Sequence, residues 1–256
     1  MEIHQAAKQG FGASAEVYER ARPGYSEAAV ERLTTELRLS GGDVLVDLGA
    51  GTGKLTRTLL SAGATIVAVE PVRAMRAMFT TVLPQVAMVG AAAEALPFTG
   101  GSIDAVTVGQ AFHWFYPHAS LQEIHRVLRP GGRLGLIWNI RDESVPWVAA
   151  LSRLIGDFVG DGPSYRTDAW RKAFEESPLF GPLGRATFRT EQPTDPEGVV
   201  DRVATISFIA ALPEDRRRQV ADDVRALLAS HSATKNRRTL TIAHRTDVYW
   251  CDRLGS

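Results

Sequence analysis

The stretch Asp47-Leu48-Gly49-Ala50-Gly51-Thr52-Gly53-Lys54 sets three alternating glycines behind a carboxylate, where the apolar run Val44-Leu45-Val46 gives way to a polar segment. Glycines in such a turn let the backbone bend sharply and approach a ligand, and the free N–H groups of a following helix point at it. Spacing separates the ligands that use turns of this kind. A phosphate-binding P-loop requires glycine where Leu48 stands and a hydroxyl residue where Leu55 stands. The dinucleotide fingerprint G-x-G-x-x-G requires glycine at Lys54, which also disfavours a nicotinamide oxidoreductase. What remains is Asp-x-Gly-x-Gly-x-Gly. A carboxylate at Asp47 would repel a pyrophosphate and suits a cation such as the ammonium of an amino acid.

A second acid, Glu70, closes the next apolar run and is followed by Pro71. An acid at that place in a nucleotide-binding fold accepts hydrogen bonds from ribose hydroxyls. A ligand with a ribose, an ammonium group and no phosphate is S-adenosylmethionine. Further on, Phe112-His113-Trp114-Phe115-Tyr116 follows another apolar run, Ile103–Val108. Aromatic clusters commonly pack in cores, but open α/β sheets place ligands beyond the C-terminal ends of their strands, which assigns this one to an acceptor pocket. A histidine ordinarily titrates near neutrality, and the expected work of His113 is to orient the acceptor rather than to remove a proton. No His, Cys and acid spacing forms a metal site, so no metal is expected.

The elements that must position these residues are readable from pattern. Runs at 44–46, 65–69, 86–89, 103–108 and 133–138 lack a polar face, as strands covered on both sides of a parallel sheet do. Helix candidates at Lys54–Ser61, Val72–Thr80 and Ser120–Leu128 alternate with them, the last stopped by Arg129-Pro130-Gly131-Gly132. The alternation means βαβ units with right-handed crossovers. Two helices, Ala13–Ala21 and Ser26–Leu37, precede the first strand. After Ile140 come helices at Trp147–Phe158 and Asp168–Phe174, a strand at Ala186–Glu191, helices at Pro196–Ala210 and Glu214–Ala229, and a final strand near Leu240–Trp250. The 256 residues read as one domain: an N-terminal helical cover (1–40), a cofactor-binding core (43–140) and the remaining sheet (141–256) with a helical insertion at about 194–229.

Composition closes off other classes. Twenty-nine basic residues balance twenty-nine acidic ones, so no cationic nucleic-acid platform is expected. Cys251 is the lone cysteine, which excludes an internal disulfide and fits a reducing, cytoplasmic setting. No apolar run approaches the ~20 residues of a membrane span.

Taken together, Val46–Gly53 with Val69-Glu70, Ala93-Glu94-Ala95-Leu96-Pro97-Phe98, Ile103–Val106, Gln110–Trp114 and Arg126–Gly132 resemble the Rossmann-like S-adenosylmethionine-dependent methyltransferases. The likeness is to the small-molecule branch called methyltransferase type 11, and within it to the trans-aconitate methyltransferases. Strong motifs cover about residues 43–138; Tyr18–Tyr25 and Thr246–Tyr249 are similar more weakly. The resemblance implies an α/β, doubly wound, mostly parallel seven-stranded sheet in the order 3-2-1-4-5-7-6, the last strand antiparallel. By position it implies that Gly49, Ala50, Gly51 and Gly53 line the methionine portion, with Asp47 near the ammonium. Glu70 would hold the ribose, while Pro71, Val72, Ala93 and Glu94 would flank the adenine. Gln110 would lie beneath the transferred methyl, and Tyr18 and Arg22 would close over the cofactor. Tyr25, Phe112, His113, Trp114 and Asn139 would meet the acceptor. Two departures stand out: Ala92 replaces a frequent Asp or Thr, leaving the adenine amino group to the backbone, and Tyr116-Pro117 stands where relatives often carry Asp. The expected activity is methyl transfer to a small-molecule acceptor at a carboxylate or hydroxyl oxygen. The alternatives are a carbon or nitrogen methyltransferase, or a cofactor-binding protein without catalysis. Oligomeric state is not legible.

Overall fold

The computed structural model describes residues 15–158, 165–167 and 169–255. Ala13, Ser14 and Asp168, included in expected helices, lie outside these. Seven strands form one sheet: β1 (Val44–Leu48), β2 (Thr65–Val69), β3 (Ala87–Val89), β4 (Ile103–Gly109), β5 (Leu128–Arg141), β6 (Gly184–Thr194) and β7 (Leu240–Asp252). Their order is β3-β2-β1-β4-β5-β7-β6, with β7 antiparallel to both neighbours, as expected. β1 is central, pairing Leu45 with Ile66 of β2 on one side and with Ala105 of β4 on the other. The apolar runs are therefore two-faced for the reason read from them: both faces are covered.

On one face lie α2 (Glu27–Glu36) and α3 (Lys54–Leu59). Ser26 caps α2 by accepting the Ala29 N–H at 3.2 Å, and Ala29, Val30 and Leu33 pack with Leu45, Ala105 and Ile137. The approach is close: a Cβ at Gly135 would stand 2.5 Å from Leu33 Cδ1. The opposite face carries α5 (Pro117–Val127) and α7 (Ala169–Glu175), whose Leu121, Ile124, Trp170 and Phe174 pack with Val106, Leu134 and Trp138. α4 (Arg73–Val82) follows β2. α1 (Ala15–Ala21) precedes α2.

A third apolar cluster stands apart. α6 (Pro146–Gly156), α8 (Pro196–Ala204), α9 (Ser207–Ala210) and α10 (Glu214–Ser230) bury Val148, Leu151, Val199, Val203 and Val224 against Ile242. The single helix expected over 196–210 is broken between α8 and α9, where Ile206 is extended (φ −70°, ψ 125°). Thr205 makes the break: its hydroxyl donates back to the Arg202 carbonyl at 2.7 Å while accepting Arg22 Nε at 2.9 Å. A β-branched residue bonded in this way competes with the helical ladder. β5 is also longer than the run 133–138, because its ends are carried by pairing with β4 and β7 rather than by apolar side chains.

Candidate active site

A cleft of about 800 Å³, measured to its open mouth, runs over the C-terminal ends of β1, β2 and β4, with Tyr18 of α1 on its rim. It lies where the sheet order reverses, the usual ligand position in an open α/β sheet. A smaller lobe of about 320 Å³ shares Tyr18, Gly49, Gly51 and Gln110 with it and extends inward to Asp47, Ala50 and Tyr25.

The glycine turn has three different jobs. Gly49, Gly51 and Gly53 all have positive φ, at 71°, 58° and 89°. A Cβ at Gly51 would meet nothing within 4 Å among the described residues, so its backbone is bared to the cleft. A Cβ at Gly49 would stand 2.7 Å from Ala111 Cβ, which fixes the approach of the β1 and β4 turns. At Gly53 it would stand 2.6 Å from Leu83 Cδ1 and 3.0 Å from Phe79. Gly53, expected beside the methionine portion, instead lets α4 pack under the turn.

Glu70 ties the turn to β2. Its Oε2 accepts the Gly51 N–H at 2.9 Å and its Oε1 accepts the Val72 N–H at 2.8 Å. Burial raises its carboxyl pKa above the ordinary value, against those two hydrogen bonds. Each oxygen keeps acceptor capacity toward the cleft, because a carboxylate offers about four lone-pair sites. Asp47 is fully buried, and its Oδ2 and Oδ1 accept the hydroxyls of Thr56 at 2.5 Å and Thr107 at 3.2 Å. Desolvation nevertheless pushes its carboxyl up to about 6.

Pro71, Val72, Ala92, Ala93 and Glu94 form the adjoining wall. Glu94 has structural work as well: Oε1 accepts the Tyr116 N–H at 2.9 Å and the Ser120 hydroxyl at 3.0 Å, capping α5 from outside the helix. Gln110 sits at the end of β4 in the left-handed region (φ 59°), held by Nε2 donating to the Asn139 carbonyl at 3.0 Å. A non-glycine residue held there is a strained position of the kind that collects at ligand sites.

The acceptor residues scatter. Trp114 lines the cleft, and Tyr25 the inner lobe, where burial raises its phenol pKa. Phe112 does not line it: the ring is wholly buried, 5.2 Å from Phe174 and 5.5 Å from Phe115, so it anchors the turn in the core. Asn139 acts as a clasp, donating to Gly24 O at 2.9 Å and accepting from Thr246 Oγ1 at 2.6 Å. His113, beside Trp114 in the turn Phe112–Trp114, lines neither the cleft nor its inner lobe, and its Nδ1 accepts the Trp138 indole N–H at 3.4 Å. Its proton is therefore on Nε2, and burial depresses its pKa to about 4. Arg22 is not on the cleft wall: Nε and Nη2 go to Oγ1 and O of Thr205, in the insertion. The sequence reading missed Met75 in the cleft wall, while Phe115 and Tyr116 of the aromatic segment line it as expected of that segment. It also missed Glu19, which accepts from Thr52 Oγ1 at 2.6 Å and Arg57 at 2.6 Å. The signal for Met75 was its place one turn into the helix after Glu70; Glu19 had none, since its partners lie more than thirty residues away.

A sheet of this order, with a bared glycine turn and a buried acid at the next strand end, defines a Rossmann-like nucleoside-binding class. Residues 46–136 match the family model described as a methyltransferase domain. An uncharacterized methyltransferase of Mycobacterium tuberculosis is 38% identical over 236 residues, covering 92% of each chain. One of Schizosaccharomyces pombe is 32% identical over 233 residues, covering 91% of each. Among solved structures, one titled as a type II methyltransferase from Anaeromyxobacter dehalogenans superposes with a TM-score of 0.68 at 22% identity, over 90% of this chain and 97% of that one. A geranyl diphosphate methyltransferase in complex with S-adenosylmethionine superposes with a TM-score of 0.51 at 17% identity, over 89% and 85%. The chain belongs to the S-adenosylmethionine-dependent methyltransferases.

Proposed function

We propose that the chain transfers the methyl group of S-adenosylmethionine to an oxygen atom of a small-molecule acceptor, as a single-domain cytoplasmic enzyme. The observation that carries the donor assignment is the bared Gly51 backbone held over the buried Glu70 carboxylate. Glu70 accepts the ribose hydroxyls with the lone pairs that Gly51 and Val72 leave open. Pro71, Val72, Ala93 and Glu94 flank the adenine, and with Ala92 short of any polar atom the amino group falls to backbone acceptors. The inner lobe takes the methionine portion, its ammonium toward Asp47. When bound, the cofactor supplies an electrophilic methyl on a sulfonium, so the reaction needs position and water exclusion above all. Gln110 fixes the floor of the lobe, and Tyr18 and Tyr25 shield it.

The oxygen assignment follows the likeness to the trans-aconitate methyltransferases, and the expected part of His113, next to Trp114 of the cleft wall, is to orient the acceptor. With Nδ1 occupied by Trp138, His113 offers only an Nε2 donor, suited to orient a carboxylate, which is already ionised at neutral pH and needs no base. Two measurements test the reading. Glu70→Ala removes charge-assisted hydrogen bonds worth ~1.5–3 kcal/mol each, so calorimetry should show S-adenosylhomocysteine bound at least about tenfold more weakly with the fold intact. An unchanged affinity rejects the ribose role. Methyl-labelled cofactor offered with a carboxylate library should then give a product that releases methanol in mild alkali. A base-stable product rejects the carboxylate and means a hydroxyl, carbon or nitrogen acceptor, and no turnover on any acceptor leaves a binding protein.

A further inference from the structure

Above the donor cleft, α1 and α8 close on the upper ends of β5 and β7, and arginines gather at this seam. Arg202 of α8 is 6% exposed, and its Nη1 has no hydrogen-bond partner among the described residues. Its Nη2 lies 2.8 Å from Nε2 of His244, itself 1% exposed. Arginine only donates, so His244 accepts there and is neutral; burial and the surrounding guanidiniums depress its pKa to about 3. Arg141 stands opposite His244 in the β5–β7 register, its Nε donating to Ser152 Oγ at 2.8 Å. Arg22, just past the end of α1, completes the group.

Buried guanidiniums ordinarily meet a carboxylate, because an uncompensated charge in the interior is costly. Among the described residues, no ion pair joins Arg22 or Arg202 to an acid, and the acids of α8 and its cap are committed elsewhere. Asp201 pairs with Arg20 at 2.9 Å, Glu197 with Arg225 at 2.8 Å, and Asp195 caps the helix through Gly198 N at 2.7 Å. We propose that this seam is an anion-binding site, in which Arg22, Arg141 and Arg202 hold a carboxylate or phosphate group of the methyl acceptor, away from the atom that is methylated.

The seam joins the cleft by two short paths. Gln110 bonds to Asn139, and Arg141 is two residues further on the same strand face, a step of about 7 Å. Arg22 lies 5.2 Å over the ring of Tyr18, which lines the cleft. Arg22 and Arg141 are half-buried while Arg202 is buried behind them, so an anion meets the first two and is backed by the third. A methylated carboxylate loses its charge in the product. A second anionic group held here keeps the acceptor in register throughout. The assignment of the anion to the acceptor rests on the methyltransferase reading of the cleft; the anion site itself does not.

The test is calorimetric titration of the protein, alone and with S-adenosylhomocysteine, using malonate and inorganic phosphate as probes. Saturable binding of either is expected, weakened at least about tenfold by Arg202→Met and by Arg22→Gln, with S-adenosylhomocysteine affinity of Arg202→Met within about twofold of the parent. Malonate alone binding identifies a carboxylate anchor, and phosphate alone a phosphorylated one. Arg22→Gln keeps the test open should Arg202→Met fail to fold, since Arg22 is half-buried. Failure of both probes to bind, or binding undiminished by the substitutions, overturns the site. Failure of S-adenosylhomocysteine to bind the parent overturns the donor assignment alone.

Discussion

Asp47 and His113 are taken out of water to opposite effect. The hydroxyls of Thr56 and Thr107 do not offset the burial of Asp47, so its pKa rises from 3.8 to about 6. Between those values the folded chain holds a proton that the unfolded chain has lost, so stability falls as pH rises through that window. A two-unit shift corresponds to up to about 3 kcal/mol, by order of magnitude. Asp47→Asn keeps an acceptor for the hydroxyls without the charge. Chemical denaturation of the cofactor-free protein should find it more stable than the parent at pH 8, with the difference vanishing below pH 4, while S-adenosylhomocysteine binding weakens. A constant difference across pH would show that Asp47 does not titrate there. For His113, depressed to about 4, the folded chain binds fewer protons than the unfolded one as pH falls from 6.5, so its contribution to stability is lost toward pH 4. In catalysis, His113→Gln should recover part of the kcat/KM lost in His113→Ala, and neither should remove a rate-controlling pKa near 6–7. A loss of about a thousandfold in kcat, with such a pKa abolished in both variants, would make His113 a base.

At the scale of elements, the glycine turn separates binding from packing. Gly51→Ala and Gly53→Ala both force a side chain into positive φ, but the new methyl at Gly51 enters open space and that at Gly53 meets Leu83 and Phe79. Gly53→Ala should therefore lose more stability in urea unfolding, by roughly 1–3 kcal/mol of overpacking, with cofactor affinity preserved in the folded fraction. Gly51→Ala should weaken S-adenosylhomocysteine binding at least about tenfold, because a methyl intrudes where backbone should touch ligand. The reverse pattern would exchange the roles. This division was not legible in the sequence, where both are glycines of one motif; what distinguishes Gly53 is a helix thirty residues on. The strands were legible because two-sided burial leaves continuous apolar runs such as 65–69 and 103–108. Glu70 was legible because a strand end fixes its place. Phe112 and Arg22 were not, since their partners, Phe174 and Thr205, are brought in by packing and not by spacing.

Across the whole molecule, α1 is the strap that joins the donor turn to the helical insertion. On one side Glu19 receives Thr52 and Arg57 and pairs with Lys54 at 3.3 Å, while the Lys54 ammonium also reaches the Glu19 carbonyl. On the other, Arg20 pairs with Asp201, Arg22 bonds to Thr205, and Gln192 donates to the Ala21 carbonyl at 3.1 Å. Tyr18 lies between these anchors and over the cleft. Exposed pairs such as Arg20–Asp201 contribute little, so the Glu19 cluster is the stronger fastening. Burial works against the Glu19 charge, but hydrogen bonds from Arg57 and Thr52 outweigh it and hold the carboxyl below its ordinary range. The fastening is thus charged at neutral pH and weakens only as acid reaches that lowered value. A cover of this kind acts on escape more than on entry, because interactions formed after encounter appear mainly in the dissociation rate. Glu19→Ala should therefore speed S-adenosylhomocysteine dissociation by about three- to tenfold in stopped-flow displacement, with a smaller change in the association rate. It should also raise the proteolytic susceptibility of α1 in the free protein while the sheet core stays protected. An unchanged dissociation rate alongside a loosened α1 would mean that the strap secures the insertion and leaves the donor free to leave by the open side of the cleft.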